Sequence, residues 1–347
     1  MCSFQYRITR SLMETIFLAR VVGGGCVIEM DEYVVTPETL KIRQAWPFEL
    51  KVQWAKAKIK EWVQYWGVDN VYVSFSGGKD STVLLHLARE LYPNIKAAFI
   101  DTGLEYPEVR EFVRTWDNVD WVKPEKSFRQ VIEKHGYPVV SKETACYIGT
   151  IRRNADNEAV VNRYKYGILP DGRRTPYKLP KKWWYLLDAD FKISDKCCAE
   201  LKKGPIIKYE HKNGVVPIVG SKVADGIRRR SNYFKGGCNA FNAKRPMSKP
   251  LSIWTDQDVL RYIKENNLPI AKCYGEIVEQ DGMLTTTGEK GTGCMFCVFG
   301  VHLEQCPNKF QRMKVNHPKR WEYCMKPFEK GGLGLKHVLE TLGVPYE

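Results

Sequence analysis

Residues 71–91 read VYVSFSGGKDSTVLLHLAREL, and the fold is decided there. Val71 to Ser74 is short and β-rich, as a buried strand should be. Gly77 and Gly78 then open backbone angles that a side chain would forbid. Asp80 and Ser81 are good N-cap residues. From Thr82 onward, Val83, Leu84, Leu87, Ala88 and Leu91 recur at helical spacing, and Pro93 stops the run. Free backbone N–H groups at the helix start, with Lys79 beside them, offer donors to a phosphate or pyrophosphate. The pattern GxxxxGK[ST] is absent, so the turn is not a Walker A loop.

The chain on either side extends this unit. Ala45 to Trp66 reads as an amphipathic helix whose apolar side is Trp46, Phe48, Val52, Ala55, Ile59, Trp62 and Val63. Downstream, Ile95 to Ile100 is an apolar run and therefore a buried strand. A helix between two strands makes a right-handed unit with parallel strands. Ligands in such sheets sit beyond the carboxyl ends of the strands, where Asp101 and Thr102 fall. Asp101 is placed to meet a nucleotide or its Mg²⁺, or to cap a helix. Asp120 to Pro124 predicts a third strand, Phe128 to Lys134 a helix, and Tyr137 to Val140 and VVPIVG further strands. The expectation is an α/β fold with a Rossmann-like parallel sheet.

The chain has 347 residues, a hydrophobic fraction of 44% and a net charge of +14. That is enough apolar material for a proper core. The charge favours an anionic partner, whether ATP alone or also a nucleic acid such as tRNA or DNA. No apolar run approaches the ~20 residues of a membrane span. Glu14 and Arg20 interrupt the apolar patch near the start and no cleavage pattern follows, so the expected location is cytoplasmic. Residues 1–45 have weak periodicity and read as an N-terminal extension, in which Cys2 and Cys26 carry no role and Met30 is an alternative start. Residues 46–235 are assigned to a nucleotide-binding domain and 236–347 to a cysteine-rich C-terminal region. Between Thr144 and Lys192, basic side chains from Arg152 to Lys182 alternate with Tyr164, Tyr166, Tyr177, Trp183, Trp184 and Tyr185. This composition suits phosphates and stacked bases, and equally a solvated basic loop over an apolar core.

Eleven cysteines in a cytosolic chain point to metal or redox chemistry rather than disulfides. Tandem Cys197-Cys198 and the later Cys294-x-x-Cys297 form a CC…CxxC set. Four thiolates suit zinc or an iron–sulfur cluster. Cys238 and Cys306 are alternate ligands, and Cys294, Cys297 and Cys306 could supply three ligands alone, leaving one iron open to hold sulfide. Lastly, Arg228 to Arg230 could grip phosphate with bidentate guanidinium groups, or form a solvated charge run.

Several of these stretches resemble known families. SFSGGKDST resembles the PP-loop of the ATP pyrophosphatase superfamily, whose members cleave ATP between the α and β phosphates. DTGLEYPE and PLSIWTDQDVLRYI resemble segments of the phosphoadenosine phosphosulfate (PAPS) reductase family. SDKCCAELKKGPI with GTGCMFC resembles the [4Fe–4S] signature of adenylylsulfate (APS) reductases, with Leu201 where that pattern has Arg. The resemblance runs in order from about Ala45 to Cys297. It implies an adenine nucleotide alpha hydrolase-like sheet, an ATP site of Ser76, Gly77, Gly78, Lys79, Asp80, Ser81, Thr82, Asp101, Thr102 and Arg228, and catalytic roles for Lys79, Asp80 and Asp101. It favours iron–sulfur over zinc on Cys197, Cys198, Cys294 and Cys297.

Two departures bear on function. The family's reductases end in an ECGLH-like tail, whereas this sequence ends GLGLKHVLETLGVPYE, with Cys324 the nearest cysteine. The reductases also carry a degraded PP-loop, and here SGGKDS is intact. Both point to an ATP-cleaving member that activates a substrate for sulfur transfer, with sulfide or a donor protein as sulfur source. A sulfonucleotide reductase, and a nucleic-acid-binding module that senses nucleotide or redox state, are the rival readings.

Overall fold

The computed structural model describes residues 20–22, 25–27 and 35–347. The expectations for Cys2, Met30 and the chain start lie outside the described residues. β1 (Arg20–Val22) and β2 (Gly25–Val27) pair as an antiparallel hairpin. α1 (Pro37–Gln44) and α2 (Phe48–Trp66) follow, with Pro47 as the N-cap of α2. Next come β3 (Val71–Ser74), α3 (Lys79–Leu91), β4 (Lys96–Ile100), α4 (Pro107–Arg114), β5 (Val119–Val122), α5 (Phe128–His135) and β6 (Val139–Val140). α6 (Lys142–Arg153), α7 (Glu158–Val161) and α8 (Gly204–Asn213) lead to β7 (Val216–Val219) and α9 (Ile227–Gly236). β8 (Asn239–Ala240), β9 (Met247–Ser248), α10 (Asp256–Glu265), β10 (Ile277–Gln280), β11 (Met283–Thr286) and β12 (Val298–Phe299) come before α11 (Lys309–Asn316), α12 (Pro318–Met325) and α13 (Leu335–Thr341).

The central sheet has six strands in the order β5-β4-β3-β7-β9-β8. All its pairings are parallel except β8 with β9. β3 lies in the middle, with Val73 between Ala97 of β4 and Ile218 of β7. Alternation along the strands separates two faces. Val71, Val73, Ala97 and Phe99 enter the main core with α2, α3 and α10. Tyr72 and Ala98 face the other way and pack with Ile206 and Val215 under α8.

Ion pairs and caps fix the helices on this sheet. Lys51 of α2 reaches Asp258 of α10 at 2.9 Å, with both side chains nearly buried. Asp258 also completes the capping box of Thr255. Trp254 is fully buried beside them and donates its indole N–H to the Lys51 carbonyl.

Some expectations are corrected. The helix foreseen from Ala45 begins three residues later, at Phe48, with Pro47 as its N-cap, and a separate helix, α1, precedes it and ends at Gln44. α1, inside the expected 1–45 extension, buries Leu40 and sends Arg43 to the Tyr233 hydroxyl at 3.0 Å. The boundary expected at 235/236 runs through the sheet, since β8 and β9 lie beyond it. The region after β9 returns to the middle of the chain, where β12 pairs in parallel with β6. Among the described residues, no helix is long and apolar enough to cross a membrane.

Candidate active site

The turn after β3 is built from hydroxyls and one left-handed glycine. Gly77 has φ +69°, and a Cβ there would stand 2.7 Å from Val113 and 2.8 Å from Val109 of α4. Gly78, not Asp80 or Ser81, is the N-cap of α3. Ser81 bonds backward instead. It accepts from the Ser76 N–H at 3.1 Å, lies 3.0 Å from the Ser76 hydroxyl, and donates to the Gly78 carbonyl at 2.9 Å. Thr82 donates to that same carbonyl at 3.1 Å. The Gly78 N–H donates to Ser76 Oγ, and the Lys79 N–H to the Tyr274 hydroxyl. The donors expected for phosphate thus point at side-chain oxygens, which are the acceptors a phosphate would replace.

The far side of the turn is covered by residues from 274–292. The Tyr274 hydroxyl lies 2.7 Å from Thr292 Oγ1, and both approach Gly78. Lys79 lays its ammonium 5.1 Å from the Tyr274 ring centre and donates to the Lys290 carbonyl at 2.8 Å. Burial pushes the Lys79 pKa down.

Asp80 meets a cation from another element. It is ion-paired with Lys222, which lies beyond the carboxyl end of β7 and is fully buried. Lys222 also contacts Asp256 at 2.9 Å and Asp225 at 3.6 Å. Burial pushes the Asp80 carboxyl up, against the pull of Lys222. Lys222 is pulled down by burial, but its carboxylates outweigh that and leave it raised. Asp101 is likewise paired, its Oδ2 accepting from Arg110 at 2.8 Å. Its Oδ1 is buried with no partner among the described residues. Asp101 caps no helix, as Tyr106 is the N-cap of α4. Thr102 is held by Glu105, through its N–H at 3.0 Å and its hydroxyl at 2.7 Å. Arg228 is exposed on the first turn of α9, and its side chain makes no hydrogen bond among the described residues. Lys222 is the cation brought to the loop, and the sequence signal for it was its place just after the strand VVPIVG.

A second site adjoins the first. Cys197, Cys198, Cys294 and Cys297 line one pocket with Leu104, Phe128, Pro138, Leu201 and Lys202. The fourfold set singled out in the sequence is therefore gathered in space. Cys197 and Cys198 share a hydrogen bond that pulls Cys198 down and pushes Cys197 up, and Lys142 adds to the pull on Cys198. Lys202 bonds Cys294, whose thiol burial pushes up. Among the described residues, no group of three or more His, Cys, Asp or Glu side chains is arranged to hold a single metal ion. The alternates fall elsewhere. Cys238 is buried beside Trp54 and Ser252, and Cys306 is exposed. Cys324 is fully buried, and burial pushes its thiol well up, so it is a poor nucleophile.

Two short links join the sites. Thr102, two residues past the end of β4, is two residues from Leu104 in the cysteine pocket. Thr292 against Gly78 is two residues from Cys294. The Met295 N–H closes the link by donating to the Leu104 carbonyl at 2.8 Å.

The fold is α/β, a mainly parallel sheet with a hydroxyl-lined glycine turn at the end of its central strand. Residues 70–289 match the phosphoadenosine phosphosulfate reductase domain, and the chain belongs to that family. An uncharacterised protein of Methanocaldococcus jannaschii is 39% identical over 72 residues, which is 20% of this chain and 18% of that protein. Sulfate adenylyltransferase subunit 2 of Allorhizobium ampelinum is 26% identical over 228 residues, 62% of each chain. The chain thus spans less than two thirds of either relative. Among solved structures, a phosphate complex of PAPS reductase from Candida auris is 16% identical, covering 72% of this chain and 98% of that one, with a TM-score of 0.37. The U34-tRNA thiolase of Methanococcus maripaludis with its [4Fe-4S] cluster is also 16% identical, covering 65% and 67%, with a TM-score of 0.35.

Proposed function

We propose that this chain seats Mg·ATP on Ser76–Thr82 and cleaves it to AMP and pyrophosphate, activating an acceptor for sulfur transfer. The observation that carries this reading is the adjacency of the glycine turn and the four-cysteine pocket through 102–104 and 292–295. An acceptor oxygen attacks the α-phosphorus, the bond to the α–β bridging oxygen breaks, and pyrophosphate leaves. The N–H groups of Ser76, Gly78 and Lys79 turn from their hydroxyl partners to the phosphate oxygens, and Lys79 offsets the departing charge. Mg²⁺ enters with the nucleotide, and no protein ligand is assigned to it, because Asp80 and Asp101 are already paired with cations. The Allorhizobium relative's name, sulfate adenylyltransferase, describes the same class of step.

The donor set of the second pocket fits an iron–sulfur cluster held by Cys197, Cys198, Cys294 and Cys297. Four thiols meet in an apolar-walled pocket, with lysines that favour thiolate. When bound, such a cluster would supply sulfide that displaces AMP from the adenylated acceptor, with sulfide or a donor protein restoring the sulfur.

The test is pyrophosphate release from ATP by anaerobically prepared protein, with sulfate, tRNA and DNA as candidate acceptors. Lys79→Ala is expected to lower turnover by at least about 100-fold with an unchanged melting temperature. Tight PAPS binding with sulfite release, and no ATP turnover with any acceptor, would replace this reading by a reductase.

A further inference from the structure

A large basic pocket lies apart from both sites. It is a cavity of about 560 Å³ (the room of some 19 liquid waters) between the C-terminal ends of α5 and α6 and the segment 192–196. Five cations line it, Lys134, Arg152, Arg153, Lys192 and Lys196, and no carboxylate does. None of the five is in an ion pair among the described residues. Arg152 is fixed by the carbonyls of Phe191 and Ala189, at 2.7 and 2.9 Å, and Lys192 donates to the Glu133 carbonyl at 3.2 Å. These acceptors are neutral, so the charges of Arg152 and Lys192 are not offset by them. His135 also lines the pocket; its buried Nε2 makes no hydrogen bond and stands 3.6 Å from the Glu200 carboxylate.

Five lining cations, with Glu200 against His135 as a counter-charge, leave a strongly net-positive cavity that suits an anion. The volume exceeds what one inorganic phosphate fills and suits a chain carrying several. The neighbouring segment favours a nucleic acid. The turn Lys181–Asp188 ends one residue before Ala189, to which Arg152 is bonded. That turn and the strand of chain before it expose Tyr166, Tyr177 and Tyr185. Lys165 and Lys181 stack on Trp184, and Lys182 on Trp183. Exposed aromatics interleaved with cations provide stacking beside a backbone-binding groove.

We propose that this pocket binds the phosphodiester backbone of a nucleic-acid acceptor, which the adjacent aromatic surface helps to hold. Its role as acceptor rests on the proposed ATP-dependent activation; the binding itself does not. Cys197 follows Lys196 directly, so a strand held here lies next to the cysteine pocket.

The experiment is fluorescence anisotropy of the full chain with a labelled single-stranded RNA of about 12 nucleotides, and with DNA of the same sequence, at rising salt without ATP. The double variant Arg153→Gln with Lys196→Gln should bind at least ten-fold more weakly. Its salt slope should fall by about 1.4, two contacts at ~0.7 each. Arg153→Lys with Lys196→Arg keeps the charge and should keep the slope. A charge-matched control, Lys264→Gln with Lys336→Gln on exposed helix positions, should change affinity less than two-fold. Preference for RNA or DNA assigns the acceptor class. Equal effects of the two Gln doubles would reduce the binding to general charge and overturn the proposal. So would an absence of oligonucleotide binding at low salt, or a pocket that takes inorganic pyrophosphate only. Nucleic-acid binding that persists while ATP turnover is absent would sink the proposed reaction and leave the pocket standing.

Discussion

Lys222 shows how much one side chain can organise at the nucleotide site. Its ammonium is 1% exposed and touches the carboxylates of Asp80, Asp225 and Asp256. Three acids around one buried cation keep the start of α3, the loop after β7 and the start of α10 together. Removing one partner of a buried pair leaves the other charge uncompensated. Lys222→Ala should therefore destabilise the chain by about 2–3 kcal/mol in urea unfolding. This is below the ~3–5 of fully buried pairs, because Asp80 keeps 33% of its side chain exposed. Adding Asp80→Asn should recover part of the loss, since the two residues share one interaction. Strictly additive effects would mean that the pair contributes nothing.

At the scale of elements, the turn between β3 and α3 depends on Gly77 for two separate reasons. Its φ of +69° disfavours any Cβ, and a Cβ would meet the methyls of Val109 and Val113 on α4. Gly77→Ala should cost on the order of 1–3 kcal/mol in the same unfolding assay. Pairing it with Val109→Ala should return less than half, because the backbone strain remains. Full recovery would show that crowding alone requires the glycine. The glycines were legible in SGGKDS, since the string announces a turn. The cap was not: Asp80 and Ser81 have N-cap chemistry, but their side chains are drawn to Lys222 and to Ser76. Local propensity yields where a tertiary partner offers a stronger bond.

The whole molecule couples distant segments, and two predictions belong to this scale. Cys198 and Cys294 come from the middle and the later part of the chain, so a cluster between them would tie the two. Anaerobically purified protein should contain iron and acid-labile sulfide. Cys198→Ser and Cys294→Ser should each lose most of both, while Cys238→Ser and Cys306→Ser keep them. Full iron in Cys198→Ser would refute the ligand set, and stoichiometric zinc without sulfide would remove the cluster. The second prediction concerns acid. Burial lowers the pKa of His86, beside Glu90 and Lys56, and of His302, beside Lys182. In the unfolded chain both titrate near about 6.5. Between the folded and unfolded values the unfolded state binds more protons, so stability rises with pH there. It should be complete above about pH 6.5 and decline as pH falls below it. Urea midpoints at several pH values should show the decline, and His86→Gln should flatten it. An unchanged slope would assign the acid sensitivity elsewhere.

What the sequence by itself determined was local or strongly patterned. β3 and β4 follow from short apolar runs, and the glycine turn from SGGKDS. The pairing of CC with CxxC was also legible, because tandem cysteines are unusual enough to be matched across nearly 100 residues of chain. What only the tertiary structure decided were the partners. Lys51 reads as one polar residue of an amphipathic helix, yet it is buried against Asp258 more than 200 residues away. Lys222 reads as a loop lysine, Tyr274 and Thr292 as ordinary residues, and Asp101 as a free carboxylate until Arg110 is seen beside it. The five cations of the basic pocket come from three separate segments, and no spacing relates them. Periodicity and turn chemistry act over a few residues, so they are written along the chain. Charge pairing and pocket lining depend on which segments meet, and that is settled only when the sheet brings them together.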